Sequence, residues 1–193
     1  MMIFLEPALQ VFAAIAFGHV LGLGELLERR GYRWFRGAPL ALGVAGGVLG
    51  VLMLLLSTAG VHHFWLAALT SWVFLGQVRH RGRAVMAAIL VLYLGVWTAG
   101  LDNLDTRALA GLLAGLMGVG VLQRLLKRAR PKLPDTVVEE RWAWYAVVAG
   151  YLFLVEMDLG FACAVWAFQS GRTDVNASKL RSWGVKPPLS APD

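Results

Sequence analysis

In the last apolar run of the chain, "GYLFLVEMDLGFACAVWAF", two carboxylates, Glu156 and Asp158, stand among residues of the kind a bilayer selects. An ionised acid facing lipid costs at least about 2.5 to 3.5 kcal/mol on insertion scales, so each is expected to face protein, to be paired or to be protonated. A carboxyl group so placed can carry a proton or bind a cation. It can equally be a neutral acid hydrogen-bonded between helices, and the residue types leave both open. With Trp144 and Trp166 taken as interface markers, a rise of ~1.5 Å per residue puts Glu156 roughly 15 Å and Asp158 roughly 12 Å below the outer boundary. Residues two apart on a helix point about 200° away from each other, so one pocket holds both only if the helix unwinds. Glu156 is taken as the inward one.

The same arithmetic supplies a partner. His19 lies about 20 Å of helix from Glu6, close to the depth of Glu156, and a histidine titrates near neutral pH. Glu156, Asp158 and His19 are therefore the candidates for a proton or ion pathway. A second group, Glu6, His62, His63, Asp102, Asn103 and Asp105, falls at outer helix ends and offers oxygen and imidazole donors above the buried acids. Such donors suit a cation vestibule or a zinc, manganese or iron site, although no spacing matches a signature such as HExxH. Ordinary solvated loop ends would look the same, and adjacent His62 and His63 diverge on a helix. Haem would need two imidazoles from facing helices at one depth; His19 and His80 are expected about 10 Å apart in depth, so no cofactor is assigned.

The elements that must position these groups follow from composition. Hydrophobic residues make up 58% of 193 positions and charged residues 16%, and the mean hydropathy is +0.63. Several apolar stretches approach the ~20 residues that span a ~30 Å hydrocarbon core. The expectation is an all-α polytopic membrane protein, one bundle of about six transmembrane helices over residues 3–27, 39–60, 63–78, 84–99, 107–126 and 142–168, followed by a polar, proline-containing tail over 169–193. The first run has no basic start and no small-residue cleavage signature, so it is read as a helix rather than a signal peptide. Single Cys163 excludes an internal disulfide.

Basic residues concentrate in "ERRGYRWFRG", "RHRGR" and "QRLLKRARPKLPDTVVEER", whereas "GVHH" and "GLDNLDT" are neutral or acidic. Basic loops stay in the cytoplasm, so loops one, three and five are expected inside and both termini outside, as in a bacterial cytoplasmic membrane. Trp34, Trp142 and Trp144 then fall at inner ends and Trp65, Trp97 and Trp166 at outer ends, where indole rings favour the headgroup level. Trp72 lies inside a span and needs a polar partner. Glycines at four-residue spacing in "GVAGGVLG" and in "GLLAGLMG" make the second and fifth spans the expected tight seams. Arg124, Lys127, Arg128, Arg130 and Lys132 are expected to meet anionic headgroups, which accounts for the net charge of +6 without nucleic acid.

Short stretches share a few letters with known families but lack what carries their chemistry. "YRWFRGAPLALG" resembles isoprenylcysteine methyltransferases without their His-Pro and Tyr. "NLDTRALAGLLAG" is faintly similar to a loop of polyprenyl-phosphate sugar transferases, in a chain too short for that fold. "KRARP" resembles lipid phosphatases without the later Pro-Ser-Gly-His. Three functions remain compatible with the residues: a proton- or cation-coupled transporter or channel, a non-catalytic subunit of a larger membrane complex or homo-oligomer, and a membrane enzyme acting on a lipid or isoprenoid with Glu156 or Asp158 as buried acid.

Overall fold

The computed structural model describes residues 5–29, 31–76, 78, 80–99, 104–129, 140–154, 159–175 and 182–186. Among these there are seven helices: α1 (Leu5–Arg29), α2 (Ala38–Leu55), α3 (Ala59–Phe74), α4 (Arg81–Thr98), α5 (Thr106–Ala129), α6 (Glu140–Leu154) and α7 (Leu159–Asp174). Local chemistry fixes several boundaries. Gly37, at φ 89°, takes the left-handed turn before α2, and Pro39 occupies the first turn, where its missing N–H costs nothing. Past the end of α3, Gly76 adopts φ 62°, a conformation that favours glycine at a helix end. Asp105 caps α5, its Oδ1 accepting from the Arg107 and Ala108 N–H groups at 2.9 and 3.1 Å.

Stretches within α1, α2, α4 and α5 are long and apolar enough to cross a membrane: Pro7–Glu28, Ala38–Leu55, Arg81–Thr98 and Thr106–Leu126. Among the described residues the fold is all-helical, with these four helices of membrane-spanning length and apolarity.

Contacts set the direction of each helix. Glu28 near the end of α1 meets the N–H of Gly82 at the start of α4, and Gly82 also abuts Pro39 at the start of α2. Arg124 late in α5 donates to the carbonyl of Leu75, just past α3. These meetings define a basic end, where the arginine-rich connections lie. At the opposite end Gln10 donates to Ser57 at 3.0 Å, and the Asp105 N–H donates to His63 at 2.9 Å.

The last apolar run departs from expectation. The span 142–168 is two helices, α6 and α7, on either side of residues 155–158, which lie outside the described residues. α7 also runs six residues beyond Phe168, so Gln169, Arg172 and Asp174 belong to a helix rather than to a tail. Phe161 near its start packs on Phe64 and Tyr151, whereas Arg172 near its end meets Glu25. α7 therefore ends at the basic end, parallel to α1. The 182–186 segment pairs there too, through Arg33 and Lys186, so the start of α1 and this C-terminal segment lie at opposite ends of the bundle, not on one side as the loop charges predicted.

The seams also differ from those expected. α1 packs most extensively on α7, then on α2. At the α1–α7 crossing a methyl group on Gly18 or Gly171 would collide with the facing backbone carbonyl of Phe168 or Ile15. α2 does form a close seam, with Gly43 against Gly82 and Gly47 against Ile89 of α4. The expected seam of α5 is only partial: Gly115 touches Val147, and Gly111 and Gly118 face open space. The core is aromatic, with Trp65 edge-on to Phe168 at 4.9 Å and Phe17 5.0 Å from both. Trp65, expected at an outer belt, is fully buried there.

Candidate functional site

Glu25, four residues before the end of α1, reads in sequence as one charge among several in "GELLERR". Folding puts it between two arginines from different helices. Arg172 of α7 holds it by two nitrogens, Nε to Oε2 at 3.1 Å and Nη2 to Oε1 at 2.8 Å, and Arg83 of α4 donates from Nη2 to the same Oε1. The side chains of Arg83, Arg172 and Glu25 are 3%, 11% and 16% exposed, so the cluster is screened little by solvent. Fork geometry makes the Arg172 contact directional as well as attractive. The Arg83 guanidinium also lies over the Trp72 ring, 4.9 Å from its centroid, which gives the mid-span tryptophan its polar neighbour. Glu28, one turn on, accepts from the Gly82 N–H at 2.9 Å, and both glutamates line a narrow cavity with His80 and Arg83.

Two further polar groups of α7 extend this cluster. Gln169 precedes Arg172 by one turn, is fully buried, and has no hydrogen-bond partner at either end of its amide among the described residues. Asp174 faces His19: Nε2 is 3.0 Å from Asp174 Oδ2, and Nδ1 is 3.2 Å from the Ile15 carbonyl. Both neighbours are acceptors. A neutral imidazole has one N–H to give, and which nitrogen carries it decides which of the two neighbours it bonds as a donor. Among the described residues His19 is partnered by Asp174. Glu156 and Asp158 themselves lie outside the described residues.

Of the outer candidates, His62, His63 and Asp105 lie among the described residues. His62 Nδ1 donates to the Thr58 carbonyl at 2.9 Å, and its Nε2 accepts from the Tyr93 hydroxyl at 3.2 Å, while the ring stacks on Trp97 at 4.5 Å. His63 Nδ1 donates to the Ala59 carbonyl at 2.8 Å, leaving Nε2 to accept from the backbone N–H of Asp105. Each ring has both nitrogens engaged, one tying α3 to α4 and the other tying α3 to the start of α5. His63 and Asp105 are thus brought together through the backbone, and the Asp105 carboxylate is spent on its own helix. The Ala108 N–H, followed by the Arg107 N–H and the nearby His63 and Arg107, holds that carboxyl below the usual range against a smaller opposing effect of burial. No group of three potential metal ligands comes together among the described residues. Asp102 and Asn103, and the side chain of Glu6, lie outside them.

Of the residues expected to meet lipid headgroups, Arg124 donates to the Leu75 carbonyl and, like Arg128, is exposed; the Lys127 side chain, Arg130 and Lys132 lie outside the described residues. Between α5 and α6 runs an apolar groove of about 320 Å³, walled by Gly111, Gly115, Val147 and Gly150, with Tyr151 at one end.

Glu25, Arg83, Arg172, Gln169 and Asp174 were missed because each looks like an interfacial or tail residue when hydropathy is averaged locally. One signal was available: glycines at 18, 22 and 171 mark helices that approach closely, and polar residues beside such a seam have each other as neighbours. Compared with protein-family models, curated proteins and solved structures, the chain matches none.

Proposed function

We propose that the protein is a proton- or cation-coupled transporter or channel of a bacterial cytoplasmic membrane. Its charge cluster at the basic end, Glu25 with Arg83 and Arg172, would form the inner part of the pathway. The carrying observation is that one carboxylate cross-links three helices inside the bundle. Ionisable groups within membrane helices are costly and mark ion and proton routes. The His19–Asp174 pair and the buried amide of Gln169 add further polar groups along the α1–α7 seam that such a route could use. Glu156 and Asp158 remain the proposed mid-membrane acids.

A direct test is an imposed pH or cation gradient across proteoliposomes. Wild-type protein is expected to dissipate it, and Glu156→Gln to abolish the flux while melting as wild type does, because the amide keeps size and hydrogen bonding but cannot exchange a proton. Sealed vesicles containing folded wild type that hold both gradients would end the transport reading.

The same reading carries a topology. With α7 running back to the basic end, seven crossings put the start of α1 outside and residues 182–186 inside. Single cysteines at Arg81 and Ser182, in a chain with Cys163 replaced, are expected to label from the cytoplasmic face and one at Asp105 from the other. Labelling of Ser182 together with Asp105 would restore the six-span arrangement.

A second reading, a subunit of a larger membrane complex or homo-oligomer, is favoured by α5. It is the least buried of the four long apolar helices, with Leu122 and Leu125 more than half exposed. Native mass spectrometry from mild detergent distinguishes the two: a stoichiometric partner supports this reading, and an active monomer the first.

A further inference from the structure

Two segments some 150 positions apart meet in a short clasp at the basic end. Arg33 and Lys186 exchange backbone hydrogen bonds in both directions, N–H to carbonyl at 2.9 and 2.8 Å, as one antiparallel bridge. Side chains alternate across such a pairing. Tyr32 and Val185 turn inward onto Leu23, Leu27 and Ala38, forming a small apolar cluster separate from the main core. Arg33 and Lys186 turn outward. Beside them stand Arg36 and three aromatic side chains, Trp34, Phe35 and Trp183, each 44 to 52% exposed. Neither 31–37 nor 182–186 contains an Asp or Glu.

We propose that this clasp is a binding surface for anionic lipid headgroups on the basic side of the membrane, with Arg33, Arg36 and Lys186 meeting the phosphates and Trp34, Phe35 and Trp183 seated at the headgroup level. The proposal rests on the membrane reading of the chain. Exposed aromatic rings are unfavourable in water but settle where a ring can be half wet and half apolar. Interleaved cations, with no acid among them, complement anionic phosphates and no neutral surface. The bridge supplies what neither segment has alone: it joins two short turns, one of them aromatic and basic, into a single outward face, anchored by buried Val185. At roughly five-fold per basic residue, three cations give on the order of a 100-fold preference for an anionic over a zwitterionic surface.

The test uses the full chain in mixed vesicles of phosphatidylcholine and phosphatidylglycerol in which the acyl chains of one lipid or the other are brominated. The Trp183 signal is the difference between wild type and Trp183→Phe. Stronger quenching by brominated phosphatidylglycerol than by brominated phosphatidylcholine is expected. The preference should vanish in the Arg33→Glu, Arg36→Glu, Lys186→Glu triple variant and shrink in high salt, while Arg107→Glu, at the opposite end of the bundle, keeps it. Equal quenching by the two lipids, no quenching by either, or a preference surviving in the triple variant overturns the proposal. Alkaline extraction of the same vesicles reads the membrane assignment separately: protein that stays with the lipid but shows no preference sinks the headgroup surface alone, and protein washed off sinks both.

Discussion

Glu25→Leu is expected to destabilise the bundle by about 3 to 5 kcal/mol, the range for removing one partner of a buried ion pair. The loss comes less from the attraction forgone than from what remains: the Arg83 and Arg172 guanidiniums, 3% and 11% exposed, would stand together without the carboxylate that lies between them. Arg172→Leu should cost less, because Arg83 still neutralises Glu25. The double variant Glu25→Leu, Arg172→Leu should be more stable than the sum of the two single changes predicts, since contacting residues do not add. Denaturant unfolding in detergent checks all three. A Glu25→Leu protein that unfolds with the wild-type midpoint would show that the cluster does not hold α1, α4 and α7 together, and would remove its claim to be a site.

The second large effect is a change of sign between two identical substitutions. Gly111→Ala, on the open face of α5, should raise stability by roughly 0.5 to 1 kcal/mol, because alanine orders a helix at lower entropic cost than glycine. Gly171→Ala should lower it by about 1 to 3 kcal/mol or more, the range for overpacking, since the added methyl meets the Ile15 backbone carbonyl, which cannot rotate away as a side chain would. Forcing α1 from α7 also stretches the Glu25–Arg172 and His19–Asp174 contacts, so this variant should lose flux as well as stability if the proposed pathway is correct. If Gly171→Ala and Gly111→Ala shift the unfolding midpoint in the same direction, the α1–α7 seam is not as close as drawn.

Much of this protein was legible one residue at a time. Membrane character follows from summed hydropathy, and the ends of α2 and α5 follow from Gly37-Ala38-Pro39 and from Asp105, whose carboxylate bonds N–H groups two and three positions on. The close α2–α4 approach was written in half of its sequence, the glycines of "GVAGGVLG", though not its partner Gly82. These are local quantities: transfer free energies add along a segment, and a cap reaches only its own first turn.

The site was not local. "FQSGRTD" has the composition of a tail, because Gln169, Arg172 and Asp174 are expensive in a membrane helix unless something answers them. What answers Arg172 and Asp174 is Glu25 and His19, some 150 residues earlier, and only the packing of α7 on α1 supplies that compensation. The outer histidines show the same dependence on packing: His62 meets the Tyr93 hydroxyl and His63 the Asp105 N–H, contacts that their spacing in the sequence does not give. The sequence by itself determined which segments are apolar enough to leave water and where several helices begin and end. Tertiary structure alone decided which charges are neutralised, since that depends on which helices touch, and contact between helices is settled by glycine-scale complementarity that no average along one chain segment can register.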